Sequence, residues 1–406
     1  MKKPLLTFEQ ALEQLLDAVN CQLSITQQPL ATALGLILAE NVYSPLQIPA
    51  YTNAAMDGYA VRFAELATFE FLTLQGQSLA GHPYQGPLPA GCCIRIMTGA
   101  KLPAELDTVV MQEDVELTPE GLLRCCREVK AFEHVRFAGS EIATNSLVLA
   151  AGQRLGPLQL GVAATLGFAT LPVYRRLKVG MLSTGDELIQ PGMPLADGQI
   201  YDSNRYVLGA MLQRLEVELV DMGWVPDDLQ LMTETFGQAA QELDVLVTSG
   251  GVSVGEADYT RQVLEQLGEV NFWQVAMKPG KPFAFGRLGQ CWFFGLPGNP
   301  VSAVLTLDQL AQPALRKLSG ETWPGPVYRQ AQAAKGFRKK AGRLDFQRAM
   351  ATEVDGKLLV TPVGQDSSAM LSSLTQANCL AVLQQQRADV APGDTVQIQW
   401  LSTLLR

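Results

Sequence analysis

The sequence predicts a multidomain α/β plus β protein, in which a central α/β domain with a parallel sheet is accompanied by smaller β domains. Three observations predict this fold class. Strand-like runs alternate with helical runs between residues 175 and 326. Short β-type runs separated by glycine and proline turns occupy residues 45–144 and 327–406. A chain of 406 residues is long enough for two to four domains of ~150 residues each.

The first predicted element is an amphipathic helix from Phe8 to Val19. A capping box at Thr7–Gln10 precedes apolar residues that recur at helical spacing, which is typical of a helix with one buried face. We expect a second helix around Ala31–Leu38 and a third over Gly156–Leu166. The segment after residue 144 therefore returns to an N-terminal helical domain.

Between these helical parts, the sequence predicts a small inserted β domain. Its strand-like runs are separated by turns such as GHPYQGPLPAG; the runs are Ile94–Met97, Thr108–Met111 and Val115–Leu117.

The central domain is predicted from strands and helices in alternation. The predicted strands are Lys178–Leu182, Val217–Asp221, Val245–Val247 and Trp292–Phe294. Asp202-Ser203 is a good cap pair for a helix with apolar residues at Leu208 to Leu215, and Asn299 with Pro300 fits the start of a helix over Val301–Leu310. Such alternation implies a parallel sheet with right-handed crossovers.

The last predicted domain is a small β barrel or sandwich that follows a stiff WPGP linker at Trp323–Pro326. The resulting domain division is residues 1–44 with 145–174, then 45–144, 175–326 and 327–406.

Composition excludes several classes of protein. The net charge of −9 argues against a nucleic-acid surface, and no apolar run is long enough to span a bilayer. Seven cysteines without a CxxC pair argue against a zinc site or a disulfide framework and fit a reducing cytoplasm. Only two histidines are present, which argues against a histidine-based triad or metal site. We therefore expect a cytoplasmic protein.

The candidate site lies where strands of the α/β domain end. STGDEL, SGGVSVGEAD and LPGNP all follow predicted strands, and loops at the carboxyl ends of parallel strands converge on one site. Gly250, Gly251 and Gly255 allow close approach of the backbone to a phosphate, and the following helix start presents free N–H groups. Alternatively, the glycines form only a tight turn.

Carboxylates accompany these loops, and a divalent cation commonly bridges such carboxylates to a phosphate. The candidates are Asp186, Glu187, Asp227, Asp228, Glu256 and Asp258. The alternative is that they only cap helix N-termini.

Two basic segments are candidates for binding an oxyanion. Lys278 and Lys281 lie three residues apart on a turn held by prolines, although such a turn is also typical of a solvated surface. The segment Arg343–Arg348 is predicted to be a strand with one basic face, for which a solvated face is the simpler interpretation.

Taken together, the motifs resemble the molybdopterin molybdenumtransferase family, which includes bacterial MoeA proteins and the gephyrin E-domain. The matching segments, in chain order, are NAAMDGYAVR, RIMTGA, STGDEL, DGQIYDSNRY, SGGVSVGEADYT, MKPGKPFAFG, GLPGNPVSA and RLDFQR. The resemblance implies a central domain of the molybdopterin-binding type. It also implies Mg²⁺-dependent cleavage of adenylylated molybdopterin, release of AMP and insertion of molybdate.

The resemblance also implies roles for individual residues. It implies catalytic roles for Asp57, Glu187, Asp228, Asp258 and Lys278, and Mg²⁺ ligands among Asp186, Glu187, Asp227, Asp228 and Asp258. The implied substrate-binding residues are Thr98, Ser249, Gly250, Gly251, Ser253, Gly255, Lys281, Pro297, Gly298, Asn299, Ser302, Arg348 and one of Ser367 and Ser368, of which we take Ser368. It further implies a homodimer with composite sites and transient contacts with the molybdopterin adenylyltransferase and with cofactor acceptors.

The chain departs from the family pattern in three places. Gln274 stands where the family often has a lysine. The segment 135–141 keeps only Arg136 of a basic cluster and has Glu141 at an aspartate position. The segment 102–107 lacks the usual glycine before its aspartate. These changes leave open a weakened or non-catalytic pterin-binding dimeric scaffold. A separate alternative is a different pterin or nucleotide phosphohydrolase, which would need Mg²⁺ and the SGGVSVG loop but not Lys278, Lys281 and Arg348.

Overall fold

The computed structural model describes residues 5–251, 259–364 and 367–405. Within these ranges, no helix is both long and apolar enough to cross a membrane.

The N-terminal part contains one helix and two short strands, namely α1 (Phe8–Ala18), β1 (Ile25–Pro29) and β2 (Val42–Tyr43). The predicted capping box is confirmed, because Thr7 Oγ1 accepts from the Gln10 backbone and Gln10 Oε1 accepts from the Thr7 backbone. The predicted helix at Ala31–Leu38 is wrong. Only a 3₁₀ turn at Leu30–Thr32 forms, and Gly35 takes a left-handed φ of 80°, which ends helical progression.

The inserted domain is a β domain, as predicted, with six of its strands in one main sheet. Its strands are β3 (Asn53–Ala54), β4 (Gly58–Val61), β5 (Leu72–Ser78), β6 (Cys92–Ile96), β7 (Thr108–Met111), β8 (Val115–Leu117), β9 (Leu122–Cys125) and β10 (Val135–Arg136). The main sheet has the order β7-β4-β6-β5-β9-β8, whereas β10 pairs with β3 at one side.

The chain then returns to the N-terminal part through β11 (Leu147–Leu149), α2 (Pro157–Thr165) and β12 (Thr170–Tyr174). Strand β12 pairs with β1, and β11 pairs with β2, so residues 25–44 and 147–174 share one small hydrophobic core. Helix α2 confirms the prediction of a helix over Gly156–Leu166.

The central domain is an α/β domain whose sheet is curled. Its elements are β13 (Lys178–Thr184), β14 (Leu188–Ile189), β15 (Ile200–Tyr201), α3 (Asn204–Gln213), β16 (Glu218–Val225), α4 (Leu229–Glu242), β17 (Val245–Ser249), α5 (Tyr259–Leu267), β18 (Gly268–Gln274), β19 (Met277–Lys278), β20 (Pro282–Leu288), β21 (Cys291–Leu296), α6 (Pro300–Thr306), a π-helical turn at Leu307–Ala311, and α7 (Gln312–Leu318).

The sheet order is β16-β13-β17-β21-β20-β18. The first four strands are parallel, as predicted, whereas β20 and β18 add an antiparallel edge that the sequence analysis missed. Helix α1 packs into the hydrophobic core of this domain through Phe8, Ala11 and Leu15, although the sequence grouped it with the other N-terminal residues.

The C-terminal domain is a closed barrel. Its elements are β22 (Tyr328–Ala333), β23 (Leu344–Val354), β24 (Lys357–Pro362), α8 (Ser372–Thr375), β25 (Cys379–Leu383) and β26 (Thr395–Trp400). The order β23-β24-β22-β26-β25 closes because β25 also pairs with β23, and β19 of the central domain joins β23 in parallel.

The prediction of one basic face at Arg343–Arg348 is wrong. Arg343 precedes β23, and residues five apart in an extended chain point to opposite sides. Phe346 and Arg348 share the face toward the central domain, where Phe346 packs on Phe8. Asp345 and Gln347 share the other face and are joined by a hydrogen bond of 2.9 Å.

Candidate active site

Three loops meet at the carboxyl edge of the parallel strands, as the sequence predicts. The Gly250 N–H donates to the Leu296 carbonyl at 3.1 Å, which holds the loop after β17 beside the loop after β21. A Cβ added at Gly298 would lie 3.8 Å from Gly250 Cα, and one at Gly250 would lie 2.6 Å from the Thr184 carbonyl oxygen. The segments Ser249–Gly251, Pro297–Asn299 and Ser183–Thr184 therefore form one site.

The backbone conformation at positions 250 and 251 requires glycine. Their φ values are 97° and 64°, in the left-handed region that side chains with a Cβ rarely adopt. A Cβ at Gly251 would lie 2.0 Å from Thr260 Oγ1. The loop is thus compact, and it brings backbone close to whatever the site binds.

Asn204, at the first position of α3, connects two of these loops. Its Nδ2 donates to Ser249 Oγ and to the Gly298 carbonyl, both at 2.7 Å. Asn204 is not among the predicted site residues, because Asp202-Ser203 before it matches the pattern of a cap pair. In the structure Ser203 makes no side-chain cap, and Asp202 Oδ1 accepts from the Arg205 N–H at 3.1 Å instead. An asparagine opening a helix at this sheet edge was the available signal.

Several buried polar atoms at this edge have no hydrogen-bond partner within the described residues. They are Ser183 Oγ, Thr184 Oγ1, Thr248 Oγ1 and Asn204 Oδ1. Buried polar atoms in native proteins are nearly always satisfied by protein, water or a ligand. Their concentration at the ends of β13 and β17 indicates a place for polar atoms that the described residues do not supply.

We expect Asn204→Asp to weaken binding of the molybdopterin that the sequence resemblance implies by about tenfold or more, since it loses two donated hydrogen bonds worth about 0.5–1.5 kcal/mol each. The fold should persist, because a carboxylate at a helix N-terminus is favourable. Titration calorimetry with molybdopterin checks the affinity, and a thermal melt checks the fold.

The matched control is Ser203→Asp, which adds the same charge one residue earlier, where the side chain makes no cap. Equal affinities in wild type and Asn204→Asp would show that the bridge between the loops does not shape the pterin site.

An acidic cluster lies beside the glycine loop. Asp186 Oδ1 accepts from the Asp227 N–H at 2.9 Å, which ties the loop after β13 to the loop after β16. Partial burial raises the pKa of Asp227, and the negative charges of Asp186 and Glu187 raise it further. No lysine or arginine of the described ranges forms an ion pair with these three carboxylates.

These donors fit a hard divalent cation. Carboxylate oxygens are the ligands that Mg²⁺ prefers, and the mutual repulsion of Asp186, Glu187 and Asp227 is relieved by positive charge. Asp228 differs from them, because its Oδ1 caps α4 by accepting from the Leu231 N–H at 2.9 Å. Among the described residues, no three such side chains are already spaced around a metal position.

The basic residues fall into two neighbourhoods. Arg348, which is buried, donates to Ser373 Oγ at 3.0 Å and to the Ser367 carbonyl at 3.2 Å. The Ser368 carbonyl accepts from the Val301 N–H at 3.0 Å, so this turn also touches the start of α6, where Ser302 is buried. These contacts bring Arg348, Ser368 and Ser302 together.

Lys278 lies apart from that group. Its Nζ is 3.6 Å from Asp345 Oδ2, on the face of β23 opposite to Arg348. Lys281 is exposed on the same turn, and Gly280 between them packs against Thr306, since a Cβ there would lie 2.4 Å from Thr306 Oγ1. The turn is therefore fixed on α6, between the two neighbourhoods.

Asp57 and Thr98 form a pair in the inserted domain. The Thr98 hydroxyl and the Thr98 backbone N–H both donate to Asp57 Oδ1 at 2.7 Å, and these bonds lower the pKa of Asp57. The altered segment lies beside this pair, because β10 pairs Arg136 with Asn53. Glu141 is exposed, and its N–H donates to the Ile48 carbonyl at 2.9 Å.

Three of the expected site residues, Ser253, Gly255 and Asp258, lie outside the described residues, as does Glu256. Their proposed roles remain predictions.

Comparison with known proteins gives matches over nearly the whole chain. Residues 6–167 match the model for the MoeA N-terminal region (domain I and II), residues 180–317 match that for a probable molybdopterin binding domain, and residues 330–401 match that for the MoeA C-terminal region (domain IV).

Relatives and solved structures agree with the family models. The chain is 43% identical to a molybdopterin molybdenumtransferase of Haemophilus influenzae, over 99% of this chain and 100% of that protein. It is 34% identical to one of Synechococcus elongatus, over 98% and 100%. A crystal structure of the molybdopterin biosynthesis MoeA protein from Pyrococcus horikoshii superposes with a TM-score of 0.84, at 26% identity, over 98% of this chain and 100% of that chain.

Proposed function

The chain belongs to the MoeA family of molybdopterin molybdenumtransferases, enzymes of molybdenum cofactor biosynthesis, and on this premise we propose that it inserts molybdate into adenylylated molybdopterin. In the proposed reaction the bond between AMP and the pterin phosphate is broken, AMP is released, and molybdenum remains on the dithiolene. The observation that carries the proposal is the meeting of three loops, with their unpartnered buried polar atoms, at one sheet edge.

We assign the pterin phosphate to the glycine loop. Asn204 holds Ser249 against Gly298, and the left-handed Gly250 and Gly251, which carry no side chain, allow a phosphate to approach the backbone of the loop. Ser253 and Gly255 continue this loop in the sequence, and Pro297–Asn299 form its opposite wall. The unpartnered hydroxyls of Ser183 and Thr184, at the end of β13, supply further hydrogen bonds to the phosphate.

We assign the divalent cation to the acidic cluster of Asp186, Glu187 and Asp227, with Asp258 as a further ligand. Mg²⁺ bound there neutralises developing charge on the phosphate oxygens. Asp228 holds the start of α4 through one carboxylate oxygen, and we propose that its second oxygen serves the cation or the attacking oxygen. Because no basic side chain of the described residues pairs with Asp186, Glu187 or Asp227, the cation is what balances them.

We assign molybdate to Arg348, Ser302, Ser368 and Lys281, and we give Lys278, which shares the turn of Lys281, a supporting role. A guanidinium and an ammonium match a small tetrahedral dianion, and Arg348 is fixed for this by Ser373. Asp57 and Thr98 make no hydrogen bond to the central domain in the described chain, which fits the proposal that they serve a partner subunit's site.

We propose a homodimer on the same basis. Large apolar side chains are exposed around the excursion of β14 and β15, where Met193, Leu195, Ile200, Tyr201 and Tyr206 are each 43–55% accessible. Exposed apolar groups of this kind are typical of protein interfaces. The seven free cysteines fit a cytoplasmic enzyme, for which the adenylyltransferase and cofactor acceptors are proposed transient partners.

The test is release of AMP from adenylylated molybdopterin by the purified protein with Mg²⁺, with and without molybdate. Molybdate-dependent release accompanied by active cofactor is expected. Tight pterin binding without AMP release would favour the scaffold, with Gln274 and the segment 135–141 as the cause, and release indifferent to molybdate would favour a phosphohydrolase.

We expect Lys278→Ala to weaken binding of molybdate more than binding of molybdopterin. Lys278 shares its turn with Lys281, which is assigned to molybdate, and it does not lie on the glycine loop. Loss of one charge-assisted contact worth about 1.5–3 kcal/mol predicts roughly a tenfold to hundredfold rise in the Kd for molybdate. Equal losses for both ligands in equilibrium dialysis would show that the lysine is misassigned; Lys357→Ala, on an exposed barrel turn, is the control.

A further inference from the structure

A second basic site lies at one end of the barrel, in a cleft of about 410 Å³; Lys278 is the one lining residue that has a role above. We call it the basic cleft. It is lined by Lys278, Arg338, Lys339, Lys340 and Arg343, with Asp345 and Asp389 as the acidic members. It forms because the loop before β23 folds back over the junction of β19 and β23, where Lys278 lies opposite Asp345.

The acidic side chains of the cleft are already engaged. Asp345 Oδ2 contacts Lys278 Nζ at 3.6 Å and accepts from Gln347 Nε2 at 2.9 Å. Asp389 Oδ1 accepts from the Lys339 N–H at 2.6 Å. These carboxylates therefore hold the walls of the cleft and leave its basic residues in excess.

Lys339 is a structural member of the cleft. It is buried, and its Nζ donates to the carbonyl oxygens of Arg387 at 2.7 Å and of Gln385 and Lys340 at 3.4 Å. Burial lowers its pKa, and the nearby charges of Arg343 and Lys278 lower it further, against the opposing effect of Asp345. The loop is thus fixed in shape although it gathers like charges.

Arg338, Lys340 and Arg343 have no ion-pair partner among the residues that the structure describes. Arg338 and Lys340 are exposed, and Arg343 is half-buried. Three unpaired cations on a loop that Lys339 fixes raise the local potential in a chain whose net charge is −9. A bound anion relieves this repulsion, and arginine matches phosphate oxygens with two parallel hydrogen bonds.

We propose that the basic cleft is a second anion site, which binds a phosphate-type tetrahedral oxyanion through Arg338, Lys340 and Arg343. It is separate from the group around Arg348, which lies on the opposite face of β23. The volume exceeds that of a single oxyanion, so a phosphate monoester fits as well as free phosphate. The proposal extends the proposed function by giving a phosphate-bearing ligand a place beside Lys278, but it is tested by binding alone.

The experiment measures binding of inorganic phosphate, AMP and adenosine to the full chain by titration calorimetry at fixed ionic strength. We expect phosphate and AMP to bind and compete, adenosine not to bind, and Arg338→Gln with Arg343→Gln to weaken both anions at least tenfold. AMP binding tighter than phosphate identifies a monoester as the ligand, and equal binding identifies the free oxyanion.

The control is Lys357→Gln, which removes one positive charge from an exposed turn of the same barrel, outside the cleft. Thermal melts of all variants verify folding. Affinities for phosphate and AMP that are unchanged in the double variant, or adenosine binding as tight as AMP, would overturn the proposal. Because neither result depends on turnover, failure of this proposal would not contradict the proposed insertion of molybdate.

Discussion

Replacement of Gly250 by alanine is expected to reduce AMP release at least a hundredfold and to lower the free energy of unfolding by about 2–5 kcal/mol. The residue has φ of 97°, and an added Cβ would lie 2.6 Å from the Thr184 carbonyl oxygen and 2.9 Å from Thr184 Oγ1. The Thr184 carbonyl belongs to the backbone, which cannot move away from an added Cβ as the end of a flexible side chain can. The strain and the clash therefore add, and the loop must leave its position beside Leu296 and Gly298.

The effect on activity follows from positioning. A displacement of about 1 Å in a reacting group can cost a hundredfold in rate, and the Gly250 N–H is one of the bonds that joins two loops of the site. Chemical denaturation measures the stability, and AMP release from adenylylated molybdopterin measures the activity.

Two glycines provide controls for this variant. Gly237 lies in α4 with nothing within 4 Å of an added Cβ, so Gly237→Ala should be neutral or up to about 1 kcal/mol stabilising. Gly298→Ala adds a methyl at 3.8 Å from Gly250 Cα without a left-handed φ, so it should leave the melting temperature unchanged while narrowing the site. A Gly250→Ala protein with wild-type stability would contradict the geometry of the loop.

The parallel part of the sheet could be predicted from the sequence because its signals are local. Buried strands such as Val245–Val247 are continuous apolar runs that end in glycines, and the carboxyl ends of parallel strands must lie at one edge. The meeting of Ser249–Gly251 with Pro297–Asn299 follows from that rule alone. The resemblance of the motifs to a known family then indicates the chemistry of each loop.

Other features depend on register and packing, which no local pattern contains. The apolar run at Ala31–Leu38 has helical spacing, but Pro29 and the left-handed Gly35 confine it to one 3₁₀ turn. The separation of Lys278 from Arg348 follows from the pairing of Lys278 with Asp345, which fixes the face of β23 that each side chain takes.

Asn204 and the basic cleft illustrate the same limit. Asn204 gains its importance from two atoms that lie 45 and 94 residues away in the chain. Arg338 and Arg343 look like ordinary surface cations until the pairing of β19 with β23 brings Lys278 beside them. Sequence patterns reveal residue types and spacing, whereas these sites depend on which distant strands become neighbours.

We expect Asp186→Asn to raise the melting temperature of the metal-free protein and to lower its activity. Asparagine keeps the oxygen that accepts from the Asp227 N–H at 2.9 Å, but it removes one of the charges that raise the pKa of Asp227. Without metal the variant should therefore melt at a higher temperature than wild type at neutral pH. With Mg²⁺ it should bind the ion about 10–100-fold more weakly and lose most of its AMP release, because a metal ligand has become neutral.

The stability difference between Asp186→Asn and wild type should depend on pH. A carboxyl whose pKa is raised on folding is stabilising to the folded state below its unfolded pKa, and this contribution is lost as pH rises through the folded pKa. The advantage of Asp186→Asn should accordingly be present at neutral pH and shrink as pH falls through the raised pKa of Asp227, where Asp227 becomes protonated in wild type.

The matched control for this experiment is Glu218→Gln, the same loss of charge at the opposite end of β16 from Asp227, where no effect on the Mg²⁺-induced shift in melting temperature is expected. An Asp186→Asn protein that gains as much thermal stability from Mg²⁺ as wild type would remove Asp186 from the cation site. An apo variant less stable than wild type at neutral pH would mean that Asp186 is held by a favourable charge interaction, and the cluster would then not need a cation to balance it.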